Sequence, residues 1–203
     1  MRKPQRPSIS KNTSKSRAGS GSIRIISGLW RGRKLPVHDA EGLRPTTDRV
    51  KETLFNWVAM DIPHSRCLDL FAGSGGLGFE AASRQASMVT MLELNKQAHT
   101  QLKKNISTLN ASNIEAFNKD SLQFLQSQGE PYDVVFIDPP FRKGLLEETI
   151  TLLENNNWLA KNAIVYIEAE KELELPEIPA HWLLHREKIA GQVRYQLFTR
   201  QTP

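Results

Sequence analysis

A chain of 203 residues with 39% hydrophobic and 24% charged side chains holds enough apolar material for one packed α/β domain and a short extension. No apolar run nears the roughly 20 residues of a membrane span, the basic N-terminus has no apolar stretch of a secretory signal, and the lone Cys67 excludes an intrachain disulfide or a thiolate metal cluster, so cytoplasm is the expected compartment. The net charge of +5 is uneven: ten Lys and Arg and no acid precede Asp39, while the remainder carries 17 basic against 22 acidic residues, a basic arm on an acidic-leaning body that suits a polyanionic partner.

Residues 1–22 are rich in Ser, Lys and Arg and read as a basic disordered tail, either solvated or bound to that partner. The following segment, SIRIISGLWRGRKLPV from Ser22, alternates apolar and basic residues around Gly28 and Gly32 and predicts a small β-hairpin. Arg44-Pro45-Thr46-Thr47-Asp48 is a turn into a helix start. Val50, Leu54, Trp57 and Val58 then share one helical face, and Arg49 and Lys51 are expected to be free of it. These segments define an N-terminal extension over 23–58, ahead of a main domain over 59–203.

From Arg66 short apolar runs alternate with helical patterns. Strands are predicted at 67–70, 88–92, 114–117, 132–137 and 163–167. Helices are predicted at 77–84, on the face of Ala98, Leu102, Ile106 and Leu109, at 122–128, and at Leu146, Ile150 and Leu153. Such alternation implies a mostly parallel sheet covered on both faces. Two β-like runs, 182–189 and 193–199, flank Ala190-Gly191-Gln192 and predict a closing antiparallel hairpin, making seven strands.

The first four strands each deliver a polar signature at the end that lines the ligand crevice of open α/β sheets. Asp69 precedes a loop in which Gly73, Gly75 and Gly78 match G-x-G-x-x-G, a pattern that lets backbone approach a ligand closely. Glu93, twenty residues beyond Gly73, can accept hydrogen bonds from two ribose hydroxyls or can cap a helix. Asp120-Ser121 can border an adenine amine, cap the next helix, or do both.

The fourth signature, Asp138-Pro139-Pro140-Phe141, narrows the chemistry. Two prolines stiffen the turn and fix its carbonyls. A base amine offers two N–H donors and a weakly nucleophilic lone pair. The Asp138 carboxylate and the Pro139 carbonyl can each accept one N–H, and Phe141 can stack on the ring. That clamp would aim the lone pair at an activated methyl and favour positive charge developing on nitrogen. His38, His64, His99, His181 and His185 show no metal-ligand spacing.

Together these residues resemble the Rossmann-like class I methyltransferase fold in its amino-methylating branch. The segments RIISGLWRGRKLPV, LRPTTDRVKETLFNW, CLDLFAGSGGLGFEA, DPPFRKGLLEETI and HREKIAGQVRYQLF resemble the RsmD family over about residues 23–200. The resemblance implies methylation of the exocyclic N2 of a guanine in 16S ribosomal RNA, within the small subunit or an assembly intermediate. It implies S-adenosylmethionine as cofactor and S-adenosylhomocysteine as product; that chemistry needs no metal, no membrane partner is expected, and monomer is the default state. It assigns Asp69, Phe71, Gly73, Ser74 and Gly75 to the methionine end of the cofactor, Glu93 to its ribose, and Asp120 and Ser121 to its adenine. Asp138, Pro139 and Phe141 would hold the guanine, and Thr46, Thr47 and Arg49 would close over the cofactor. Asn95 stands where many relatives carry Asp.

For RNA, the candidate phosphate contacts are Arg24, Arg31, Arg33, Lys34 and Arg44, joined by Arg49. Trp30 either stacks on a base or anchors the hairpin to the domain. Competing readings are methylation of DNA adenine N6 or of a protein glutamine amide, whose families commonly show Asn where Asp138 stands. A nicotinamide oxidoreductase shares the glycine loop but not the DPPF corner. A non-catalytic RNA-binding assembly factor would keep the fold without needing Asp69, Glu93 and Asp138.

Overall fold

The structure, a computed structural model, describes residues 21–38 and 46–201. The basic tail before residue 21 and the candidate Arg44 lie outside the described residues.

In chain order, β1 (Ser22–Arg24) and β2 (Lys34–Pro36) form the antiparallel N-terminal hairpin, with Ile23 opposite Leu35. Helix α1 (Asp48–Trp57) follows, its first turn capped by the Thr47 hydroxyl, which accepts from the Val50 N–H. The main sheet opens with β3 (Arg66–Asp69), then α2 (Gly76–Ser83), β4 (Met88–Leu92), α3 (Lys96–Leu109), β5 (Ile114–Phe117) and the short α4 (Ser121–Leu125). It closes with β6 (Tyr132–Ile137), α5 (Leu146–Asn155), β7 (Leu159–Glu170), β8 (Trp182–Ala190) and β9 (Val193–Arg200). Asn95 caps α3, its side-chain oxygen accepting from the N–H groups of Gln97 and Ala98 at 2.9 and 3.0 Å, a task Asn performs as well as Asp.

The seven strands lie in the order β5-β4-β3-β6-β7-β9-β8. β3 through β7 are parallel, whereas β9 runs antiparallel to both β7 and β8. Chain order therefore reverses direction between β3 and β6, the position at which α/β sheets open a crevice. Alternation along β6 splits the core between two faces. Val134 and Phe136 point to one cluster, shared with α1, α2, α3 and the N-terminal hairpin. Val135 and Ile137 point to the other, shared with α5, Trp158 and Trp182. β7 is longer at both ends than the apolar run 163–167, because Leu159 pairs with Tyr132 of β6 and pairing with β9 continues through Glu168 to Glu170.

The extension is welded to this core. Glu80 on α2, with no exposed surface, accepts the N–H groups of Ile26 and Ser27 at 2.7 and 3.0 Å and also the Arg84 guanidinium at 2.8 Å. The Ser83 hydroxyl accepts from the Trp30 N–H and donates to the Ser27 carbonyl. Gly28 sits at φ +80° with its open side against the Ser83 carbonyl, where any Cβ would collide. Trp30 packs half-buried against the core, in the manner of an anchor. Lys51 corrects the sequence reading: it is 1% exposed, not free. Its ammonium donates to the Arg24 carbonyl at 2.7 Å and pairs with Asp48 at 3.1 Å, so it ties α1 to the hairpin. Among the described residues no helix is long and apolar enough to cross a membrane.

Replacing Glu80 by Ala strands two buried backbone donors and Arg84. Urea unfolding should show a loss of roughly 2–5 kcal/mol, while Glu80→Gln, which keeps one acceptor oxygen but turns its NH2 toward the other backbone donor, should fall between wild type and Glu80→Ala. Equal stability of the two variants would contradict this role.

Candidate active site

A cleft of about 570 Å³ opens at the C-terminal ends of β3, β4, β6 and β7, within the usual range for small-molecule sites. Its floor is the loop Phe71–Ser74. Gly73 and Gly75 adopt left-handed φ of +53° and +81°, which turns the chain sharply between β3 and α2. Two carboxyls hold that turn. Glu93 accepts from the Gly73 N–H at 2.8 Å with one oxygen and from the Asn95 N–H at 2.6 Å with the other. Asp69 accepts from the Gly78 N–H at 3.1 Å. The Ser121 hydroxyl donates to the Leu70 carbonyl, so α4 is tied to the end of β3. Asp120 caps α4, accepting from the Gln123 N–H at 2.9 Å.

Opposite this loop stands the corner after β6. Pro139 is buried and the Phe141 ring is 37% exposed. Thr46, just ahead of α1, donates its hydroxyl to Asp138 at 3.4 Å. The Arg142 N–H is accepted by Glu170 at 2.7 Å, which fixes the chain as it leaves the corner. Burial, and then the negative charges of Glu168 and Asp69, hold the Asp138 carboxyl well above the ordinary carboxylate range, with the Thr46 hydroxyl opposing them. Burial also pushes Asp69 up to about 7 against the Gly78 N–H, and raises Glu93 against the N–H groups of Asn95 and Gly73. The cleft is thus a concentration of acceptors and incipient negative charge, suited to ligands rich in N–H and O–H donors or carrying positive charge.

The cleft gathers most of the residues singled out in sequence: Thr46, Thr47, Asp69, Phe71, Gly73, Ser74, Glu93, Asp120, Ser121, Asp138, Pro139 and Phe141 all line it. Gly75 is not among them; its open side faces Phe79 and Leu102 and it serves as the N-cap of α2. Arg24, Arg31, Arg33, Lys34 and Arg49 are exposed on the extension and do not line the cleft.

Sequence reasoning missed three contributions. Glu168 on β7 lines the cleft, and so do Leu145 and the β8–β9 turn at Ala190, Gly191 and Val193. Glu168 follows directly on the apolar run 163–167, so the strand-end rule used for the first four strands would have found it. The turn was predicted as a hairpin, but its entry into the cleft was invisible because it depends on β9 lying beside β7. A second cavity of similar volume sits at the opposite end of the sheet, against Glu154 and Arg200. There Arg200, His181 and Trp182 already satisfy Glu154, and no strand-end signature reaches it. Among the described residues no three His, Cys, Asp or Glu side chains are grouped as metal ligands.

The model of the family described as conserved hypothetical protein 95 matches residues 23–199. The chain is 58% identical over 184 residues to ribosomal RNA small subunit methyltransferase D of Escherichia coli K12, covering 91% of this chain and 93% of that one. The protein of the same name from Haemophilus influenzae is 58% identical over 182 residues, covering 88% and 94%. The solved structure of yhhF from Escherichia coli superposes with a TM-score of 0.83 at 56% identity, covering 90% of this chain and all of that one.

The raised carboxyl of Asp69 has a consequence for stability. Between the unfolded value near 3.8 and about 7, the folded chain keeps a proton that the unfolded chain has lost. Stability must therefore fall as pH rises through that window, by up to roughly 4 kcal/mol for this group. Asp69→Asn keeps an acceptor for Gly78 but cannot titrate. Thermal unfolding of the protein alone from pH 4 to 8 should show a shallower decline for the variant. Parallel curves would show that Asp69 carries no such shift.

Proposed function

The chain belongs to the RsmD family, described as conserved hypothetical protein 95, and from that premise we propose that it transfers a methyl group from S-adenosylmethionine to the exocyclic N2 of a guanine in 16S ribosomal RNA. Relatives named small-subunit ribosomal RNA methyltransferases, matched over nearly their whole length, support the reaction and the RNA. The choice of an amine rests on one observation: the Asp138-Pro139-Pro140-Phe141 corner opens into the same cleft as the glycine loop and Glu93.

The residues present fit the cofactor. The loop at Phe71, Gly73 and Ser74 brings backbone to the cleft, Asp69 and Glu93 retain acceptor capacity beyond their N–H partners, and Leu92 and Leu94 supply apolar wall. In this reading Glu93 accepts from the ribose hydroxyls, Asp69 and the loop face the methionine end, and Asp120 and Ser121 border the adenine. When bound, S-adenosylmethionine supplies a methyl on a sulfonium, an activated group that needs no metal.

The protein's own work is to orient and desolvate the amine. Asp138 and the Pro139 carbonyl accept its two N–H groups, and Phe141 covers the ring. The amine donors and the positive charge growing on the nitrogen favour the ionised form of Asp138, which burial opposes in the free protein, and that carboxylate takes the leaving proton. Its raised affinity for protons suits it to that step. Thr46 steadies the carboxyl, and Thr47 and Arg49 stand at the start of α1 to close the site.

Residues 23–58 then serve as the RNA-binding extension of a methyltransferase domain over 59–203. Exposed Arg24, Arg31, Arg33, Lys34 and Arg49 would contact phosphates, together with Arg44 and the basic tail. The base must leave its stack to enter the cleft. We further propose a cytoplasmic monomer acting on the small subunit or its assembly intermediate.

The test is Asp138→Ala, assayed with methyl-labelled S-adenosylmethionine and small subunits from cells lacking the protein. Transfer should fall on the order of 10²–10³-fold, with cofactor binding by calorimetry little changed. Undiminished transfer would overturn the role of the corner, and absence of transfer by the wild type would favour an assembly factor.

A further inference from the structure

Asp138 and the Pro139 carbonyl account for the two N–H groups of an amine, yet a second carboxyl stands beside them. β6 and β7 are parallel neighbours with Ile137 opposite Ile167. The next residues, Asp138 and Glu168, therefore emerge side by side, about 5 Å apart along the sheet. Glu168 is only 6% exposed, and what exposure it has is to the cleft. The Tyr166 hydroxyl, two residues back on the same face, donates to its Oε2 at 2.9 Å. Burial and the nearby Glu168 charge keep the Tyr166 phenol protonated, so it acts as donor and fixes the carboxyl's orientation. Placing two buried carboxyls next to each other costs the fold stability, as the raised Asp138 shows. A ligand with several adjacent donors offsets that cost.

The base amines differ in what lies next to them. In adenine and cytosine the amine is flanked by a ring nitrogen with a lone pair. In guanine the N2 amine is flanked on one side by N1–H, a donor. An ionised carboxylate accepts only, so it attracts N1–H and repels the lone pair that adenine or cytosine would present.

We infer that Glu168 is the specificity-determining residue of the cleft, its carboxylate accepting guanine N1–H while Asp138 and Pro139 hold the neighbouring amine. The inference rests on the proposed reading that a guanine amine is the methyl acceptor. A carboxylate presents about four acceptor positions on its two oxygens.

The test uses the full chain and a base that separates the two edges. RNA fragments carrying the target site are made with guanine or with 2-aminopurine, which keeps the 2-amine but offers a lone pair at N1 and lacks the 6-oxo group, so the Glu168→Gln variant is needed to assign the preference to the N1 edge. The wild-type protein should favour guanine strongly, since a site built around a substrate N–H rejects an analogue lacking it by as much as about 10⁴-fold. Glu168→Gln can turn either its oxygen or its amide nitrogen to the base, with the Tyr166 hydroxyl accepting from the amide in the first case and donating to the oxygen in the second. It should cut the guanine preference by at least about a hundredfold, with cofactor binding and thermal midpoint near wild type. Equal use of both bases by the wild type would overturn the inference without recourse to any variant. So would an unchanged preference in Glu168→Gln, as a purely structural Glu168 would give. Wild type that methylates no guanine, in fragments or in whole subunits, would overturn the parent reading and this one together.

Discussion

The site depends on how two buried carboxyls grip one turn of backbone. Glu93, at the end of β4, and Asp69, at the end of β3, accept N–H groups from Gly73 and Gly78 on either side of the β3–α2 turn. A carboxylate held by backbone donors fixes both partners, and the left-handed glycines let the chain take the path those donors require. The turn then becomes a floor whose backbone faces open space. Because sheet order reverses between β3 and β6, the corner after β6 stands across that space. Loosening Glu93 or Asp69 would move the floor relative to the corner, and a proposed transfer between groups held on the two sides is sensitive to such displacement.

The same cleft concentrates groups that a fold alone would avoid. Asp69, Glu93, Asp138 and Glu168 meet within one cavity, and burial is the leading cause of the raised proton affinity of the first three. On the proposed reading, each is compensated by donors or positive charge of the bound partners. The exposed arginines and lysine of the extension act at a different level. All but Arg49 of α1 lie on a hairpin that Glu80, Ser83 and Lys51 dock onto the core, so on the proposed reading RNA held there would have a fixed relation to the cleft.

Much of this was legible in the chain because its local signals agree with the global arrangement. β6 is an unbroken apolar run apart from Asp133, and Asp120 and the turn ending at Thr47 announce helix starts that the structure places one residue later. The strand-end rule picks out Asp69, Glu93, Asp120 and Asp138 from the sequence. What escaped was set by distant partners. Lys51 reads as a solvent-facing residue of α1 until the Arg24 carbonyl is known to lie within reach. The β8–β9 turn enters the cleft only because β9 inserts between β7 and β8. Gly75 belongs to the glycine pattern by spacing, yet its open side meets Phe79 and Leu102 beneath the loop.

The central claim is that the glycine loop and the proline corner are two halves of one reaction site. A crystal structure of the protein with S-adenosylhomocysteine tests it directly. The account predicts a ribose against Glu93 and a sulfur directed toward the Asp138 carboxyl and the Pro139 carbonyl. A nucleoside seated elsewhere, or a sulfur turned away and walled off from that corner, would contradict it.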